Sequence, residues 1–272
     1  MKKRLSSIAP PAVAGVIREK TTNGAIAQSK NCYIDGADML DLHLSCLTSC
    51  DEAALCRIID ATPLPVLALN YNKTYEWRDC GLSEEDRVQS FLRAVRCGAA
   101  GIDMQGYTFD AASKGGFVGE DIYSFTKGNP KEIVTDAAVI ARQCALIDEV
   151  HAMGAEVLLS CHPGIVMPCE AVVELAAFLE QRHPDIIKIV TRADTEEDLC
   201  ESMRTMLMLK EQIKTPIAYH VNGKAGMPSR ILNPLLGGQI AFCVDRYDEG
   251  STMEQIDLKT ARAAVDNVRK VR

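Results

Sequence analysis

At 272 residues, with 47% hydrophobic and 25% charged side chains, the chain has the composition of a soluble globular protein with a sizeable core, not of a disordered polymer. A net charge of −7 with no basic block argues against nucleic acid as a main partner, while one local arginine would still suffice for an anionic ligand. Eleven scattered cysteines without a CxxC pair, no apolar leader after Lys2, Lys3 and Arg4, and no apolar run of membrane-spanning length predict reduced thiols, no membrane contact and a cytoplasmic location.

The first buried strand is expected at Ala12–Ile17, followed by a polar stretch, Glu19–Asp35, helical in part. Ala37–Leu44 reads as a second strand. Asp51–Ile59 reads as a helix with Asp51 as N-cap. Pro65–Tyr71 is a third strand, and Ser83 opens a helix to Cys97 with Glu85 and Asp86 in its first turn. Ala99–Gln105 is a fourth strand. Gly106–Pro130 is a connection long enough to suggest a functional loop. Helix Lys131–Met153, strand Glu156–Cys161, helix Pro168–Gln181 and strand Asp185–Val190 follow. Asp194 and Glu197 have capping-box spacing for a helix to Gln212. Strand Pro216–Val221, helix Ser229–Leu236, strand Gln239–Val244 and helix Ile256–Val271 complete the chain.

Eight short apolar strands alternating with helices predict a parallel sheet, and eight units in about 250 residues fit a closed (β/α)8 barrel. The expected architecture is one α/β barrel domain over residues 1–272. An open doubly wound sheet is the alternative, but the first strand lacks a following GxGxxG. Working residues of such a barrel sit at the C-terminal strand ends. That rule selects Asp41, His43, Asn70, Tyr71, Asp103, Gln105, His162, His220 and Asn222, and leaves His151 and His183 on the opposite side.

The sixth strand, DIIKIV, carries Lys188 on the same face as Ile186 and Val190. Burial disfavours an ammonium ion, and a neutral amine attacks carbonyls. An edge-strand surface lysine is the plain alternative. His162 on the adjacent strand offers the amine a proton partner near neutral pH. The turn Asn222–Arg230 has two glycines and a helix start at Ser229, which suit a carboxylate or phosphate.

These segments resemble the type I 3-dehydroquinate dehydratase family, a (β/α)8 Schiff-base enzyme group of the shikimate and quinate routes. LLSCHPG is similar to the segment holding the family's acid/base histidine, which falls on His162. DIIKIVTRADTEEDL is similar to the segment of the imine lysine, which falls on Lys188. NGKAGMPSR followed by GGQIAFC is similar to the segment whose arginine pairs with the substrate carboxylate, here Arg230. Ser251 and Gln255 match the mobile loop after strand eight, about two residues further from the strand than in the family. The first half departs from the pattern. Asp41-Leu42-His43 stands for Glu-x-Arg, Asn70-Tyr71-Asn72 for an arginine, Gln105 for an acid, and His220 and Asn222 for two methionines. Neither His nor Tyr keeps a bidentate guanidinium fork.

The resemblance implies a hydro-lyase acting on 3-dehydroquinate or a related cyclic hydroxy-keto acid, with an imine on Lys188 and His162 as acid/base. Arg230 and Gln255 would hold the carboxylate, Ser251 and Gln255 would close over the ligand, and Asp41, His43, Asn70, Gln105, His220 and Asn222 would surround the rest of it. It also implies no metal, no cofactor and a homodimer. The alternatives are a class I aldolase or lyase on another small keto acid, and a silent carboxylate-binding relative.

Overall fold

The computed structural model describes residues 4–71, 81–110, 134–248 and 254–270. Strand β1 (Ala12–Ile17) leads to helix α1 (Thr22–Ile34), β2 (Met39–His43) to α2 (Glu52–Ile59), and β3 (Val66–Leu69) to α3 (Glu84–Arg96). β4 (Gly101–Gln105) precedes α4 (Ala137–Ala152), β5 (Glu156–Cys161) precedes α5 (Cys169–Glu180), and β6 (Ile186–Arg192) precedes α6 (Glu196–Gln212). The last units are β7 (Ile217–Asn222), α7 (Ser229–Leu236), β8 (Ile240–Val244), the two-residue β9 (Ile256–Asp257) and α8 (Leu258–Lys270).

Short polar side chains start several helices by taking up N–H groups that have no partner within the helix. Asp51 accepts from Ala54 N at 2.8 Å, Ser83 from Asp86 N at 3.0 Å, and Asp136 from Ala138 N and Val139 N at 2.9 Å. At α6 the cap is one residue later than the spacing suggested. Thr195 and Asp198 form the reciprocal box, because Thr195 holds the extended backbone a cap needs. Asp194 instead donates its N–H to Asp198 at 2.9 Å.

The paired strands are all parallel and run in the order β7-β6-β5-β4-β3-β2-β1-β8-β9. Gln239 N–H donates to the Ile217 carbonyl at 2.6 Å, which brings the start of β8 to the start of β7 and closes the barrel. Side chains from β1, β2, β3, β5, β6, β7 and β8 share one interior cluster, including Ala14, Met39, Leu67, Ile186 and Phe242. The alternate residues, such as Ile187 and Ile189, pack outward against the helices. Strand alternation therefore places Lys188 with Ile186 on the inner face.

Two features have no counterpart in the sequence reading. Leu5 and Ile8 join the interior cluster as a floor beneath the strands. Arg4 Nε and Ser6 N fasten this segment to buried Glu156, each at 3.0 Å. Second, β9 pairs with β8 in register Cys243 with Ile256. β1 already occupies one edge of β8, so β9 takes the edge that faces β7.

Candidate active site

The register of β5 and β6 sets Ser160 beside Lys188, on the inner face of each strand. Lys188 is buried at 6% exposure, so it is no surface lysine. Its Nζ lies 3.4 Å from Asp103 Oδ2 and 4.4 Å from the centre of the Phe242 ring on β8. Asp103 is fully buried and held from three sides. Ser160 Oγ donates to its Oδ1 at 2.5 Å, Gln105 Nε2 donates to its carbonyl at 2.7 Å, and Lys188 faces its other oxygen. A carboxylate so fixed can balance positive charge that develops on the lysine nitrogen.

Three buried histidines, His43, His162 and His220, stand on or directly after β2, β5 and β7. His162, directly after β5, is buried, and its Nε2 is 3.4 Å from the Tyr71 hydroxyl. Tyr71 stands between His162 and His43, with ring centres 6.0 and 5.9 Å away and both contacts edge-on. His43 Nε2 is 3.4 Å from Asp41 Oδ2, both on β2. Burial alone would lower the His43 pKa, but hydrogen bonds to Asp41 and Cys46 and their charges outweigh it and raise the value. The Cys46 thiol shows the converse. Burial opposes its ionisation, yet His43 and Arg18 draw its pKa below the ordinary thiol value. His220, on β7, is held well below the imidazole range by burial and by the charges of Arg230, Lys188 and His162. It therefore enters the site as a neutral ring.

The cationic end of the mouth is built by the turn after β7. Gly223 adopts φ +95°, and a Cβ there would lie 2.5 Å from the Ala193 carbonyl. A Cβ on Gly226 would collide with the Asn222 carbonyl. Ser229 Oγ locks the turn by accepting from Val221 N at 3.0 Å and donating to Gly226 O at 2.6 Å. The glycines thus serve the tight turn, not a phosphate cradle. The first N–H groups of α7 are also taken: Ser229 N by Gly226, Arg230 N by Met227 and Ile231 N by Pro228. The expectation of a helix N-terminus open to an anion is corrected accordingly, and the cation Arg230 remains. Arg230 is 9% exposed, and its Nη2 donates to Asn222 Oδ1 at the end of β7. Gln255 directly precedes β9, so that strand brings it to the β7 side of the mouth. Its Oε1 is buried without a hydrogen-bond partner among the described residues, as is Asp41 Oδ1. Ser251 lies outside the described residues.

Two expected ligand residues also bind within the scaffold, while Asn70 Oδ1 is buried without a hydrogen-bond partner among the described residues. Asn70 Nδ2 donates to Ser90 Oγ on α3 at 2.6 Å, and its carbonyl accepts from Arg87 Nη1 at 2.8 Å. Tyr71, not Asn70, reaches His162. Gln105 is fully buried, with its Oε1 accepting from Arg87 and its Nε2 bound to Asp103, so it orients Asp103. Arg87 is the organiser the sequence reading missed. It is 1% exposed and also binds Thr108 Oγ1 at 2.9 Å and Glu84 Oε1 at 2.7 Å. Its signal was its place four residues before Phe91, on the apolar stripe of α3. Asp103 was placed at the rim without a role. Its alternation with Gly101 on the inner face of β4 was the cue to more.

A closed (β/α)8 barrel whose C-terminal mouth brings a buried amine, a fixed carboxylate, several imidazoles and an arginine together defines a class of barrel suited to carbonyl chemistry. Comparison with known proteins narrows it. The family model described as Type I 3-dehydroquinase matches residues 133–270. The 3-dehydroquinate dehydratases of two Klebsiella pneumoniae strains, ATCC 700721 / MGH 78578 and 342, are each 27% identical over 137 residues. That match covers 50% of this chain and 53% of each relative, so the chain spans about half the length of the curated relatives it matches. The fold likeness is broader. The type I 3-dehydroquinate dehydratase of Clostridium difficile superposes with a TM-score of 0.77 over 100% of both chains at 15% identity. The 3-dehydroquinate dehydratase of Geobacillus kaustophilus HTA426 gives 0.76 over 99% of this chain and 97% of its own, at 13% identity. The chain belongs to the type I 3-dehydroquinase family. Among the described residues, no helix is long and apolar enough to cross a membrane.

Proposed function

We propose that the protein is a carbon–oxygen hydro-lyase that dehydrates 3-dehydroquinate, or a close cyclic hydroxy-keto acid, through an imine on Lys188. The observation that carries this is Lys188 itself, a buried inward amine 3.4 Å from a fixed carboxylate in a chain of this family. The amine adds to the substrate ketone and water leaves, giving an iminium whose charge Asp103 balances. His162 takes the proton next to the iminium carbon, and the electron pair moves onto nitrogen. The enamine expels the hydroxyl, which leaves as water with the proton that His162 returns. Hydrolysis of the conjugated imine frees the product and Lys188. Arg230 supplies the charge for the carboxylate, with Gln255 and Ser251 completing that end. The reaction needs no metal and no organic cofactor.

The remainder of the ligand would face Asp41, His43, Tyr71, His220 and Asn222. Asp41 Oδ1 and Gln255 Oε1 are buried acceptors without partners among the described residues, and such groups suit a ligand rich in hydroxyl donors. The arginines found on this side in the family are replaced by His43 and Tyr71, which favours a second reading: a substrate whose ring hydroxyls differ from those of 3-dehydroquinate. A homodimer in the cytoplasm accompanies either reading and is open to light scattering and fractionation.

Borohydride reduction in the presence of 3-dehydroquinate, followed by peptide mass mapping, tests the assignment. The expected result is a stable adduct on Lys188, absent in Lys188→Ala together with turnover. An adduct formed only with another keto acid selects the second reading. Full turnover by Lys188→Ala overturns both.

A further inference from the structure

We propose that Tyr71 is the positioning residue of His162, its phenol fixing the resting ring as the Nδ1–H tautomer so that Nε2 is the basic nitrogen substrate meets when it displaces the hydroxyl. This deepens the proposed dehydration and rests on His162 being its acid/base group. The observation is the geometry of one side chain. The Tyr71 hydroxyl is 3.4 Å from His162 Nε2, and the tyrosine ring is wedged edge-on between His162 and His43. On the far side, His43 is paired with Asp41 at 3.4 Å. A hydroxyl near an imidazole nitrogen leaves open which atom carries the hydrogen. A phenol is a far stronger acid than a neutral imidazole N–H, so the phenol donates and Nε2 accepts. The ring proton must then reside on Nδ1, because a neutral imidazole carries one donor and one acceptor. A separation of 3.4 Å is long for such a bond, so the hydroxyl gives up Nε2 readily when substrate enters.

The wedge explains why the position after β3 matters. Asn70 faces Ser90 on α3, so the next residue turns into the mouth. A phenylalanine there would keep the wedge and lose only the hydroxyl. Free histidine favours the opposite tautomer, with the proton on Nε2, so losing the phenol should reverse the ring.

Long-range proton–nitrogen NMR on the full chain, above the pH range of imidazole titration, reads each ring's tautomer directly. The chain has five histidines, and His162→Asn assigns the signal. The wild type is expected to show His162 as Nδ1–H, and Tyr71→Phe to move it toward Nε2–H. Tyr71→Phe should also lower kcat about 10–100-fold with KM within a few-fold, as removal of an orienting partner does, while borohydride still traps substrate on Lys188. A wild-type ring protonated on Nε2 overturns the assignment, whether or not the variant folds. So does a Tyr71→Phe protein with the same tautomer and the same kcat. A wild type that forms no Lys188 adduct overturns the imine reading instead, and the tautomer spectrum, recorded without substrate, still decides the role of Tyr71.

Discussion

Single side chains at the barrel mouth carry opposite electrostatic assignments, and each has a distinct consequence. Asp103 gains its place from Ser160 and Gln105, so an amide there would keep the shape and lose the charge that faces Lys188. Asp103→Asn is expected to lower kcat/KM for the proposed dehydration by about 100-fold, the scale of removing one preorganised charge partner, as steady-state kinetics will read. The histidines predict how stability follows pH. The His43 pKa is raised in the fold, so its contribution is fully present below the unfolded value of 6.5 and is lost as pH rises through the raised value. The His220 pKa is depressed well below 6.5, so the unfolded chain takes up a proton the fold refuses, and stability falls as pH drops below 6.5. Urea denaturation across this range should therefore show a flatter alkaline limb in His43→Gln and a flatter acid limb in His220→Gln. Unchanged limbs in both variants would contradict these environments.

Strands and helices were largely legible because their periods differ. Alternation in DIIKIV placed Lys188 inward, and the polar starts of α2 and α3 marked their caps. Legibility fails where alternation stops. β3 ends at Leu69, so nothing in Asn70-Tyr71 told which side chain turns into the mouth and which reaches α3. The glycines of the turn after β7 were read as room for a ligand. Only the packed positions of Ala193 and Asn222 show that they are needed for the turn itself. Substituting Gly223 tests that reading at the level of the element. Gly223→Ala must accept a positive φ and a Cβ 2.5 Å from a backbone oxygen, so a loss of about 1–3 kcal/mol is expected in urea denaturation. Since the same turn delivers Arg230 to Asn222, KM for a carboxylate substrate should rise along with the lost stability.

For the molecule as a whole, the barrel separates two tasks at its two ends. The C-terminal mouth gathers polar groups, whereas the floor is sealed by residues from before β1. No periodic pattern announces that floor, since Leu5 and Ile8 are two isolated apolar residues among polar and proline positions. Its fit is visible in β4, where a Cβ on Gly101 would lie 2.8 Å from Leu5 Cδ1 and 2.6 Å from the Glu156 carbonyl. Gln239, which closes β8 onto β7, also donates to the Ile8 carbonyl at 2.9 Å, so floor and closure share one residue. Leu5 is 1% exposed, and its truncation would leave a cavity that rigid strands cannot collapse. Leu5→Ala is therefore expected to cost about 2–4 kcal/mol, lowering Tm by roughly 5–10 °C in a domain of this size. Leu5→Met keeps the volume and should cost less than about 1.5 kcal/mol. His162 and Arg230 lie beyond the C-terminal strand ends, whereas Lys188 rests on Phe242, which shares the interior cluster with Leu5, so kcat of the folded Leu5→Ala protein should stay within about five-fold of wild type. Scanning calorimetry beside steady-state kinetics separates the two ends. A variant that loses activity in proportion to its stability would mean that the floor helps to shape the mouth, and that the barrel does not divide its work in this way.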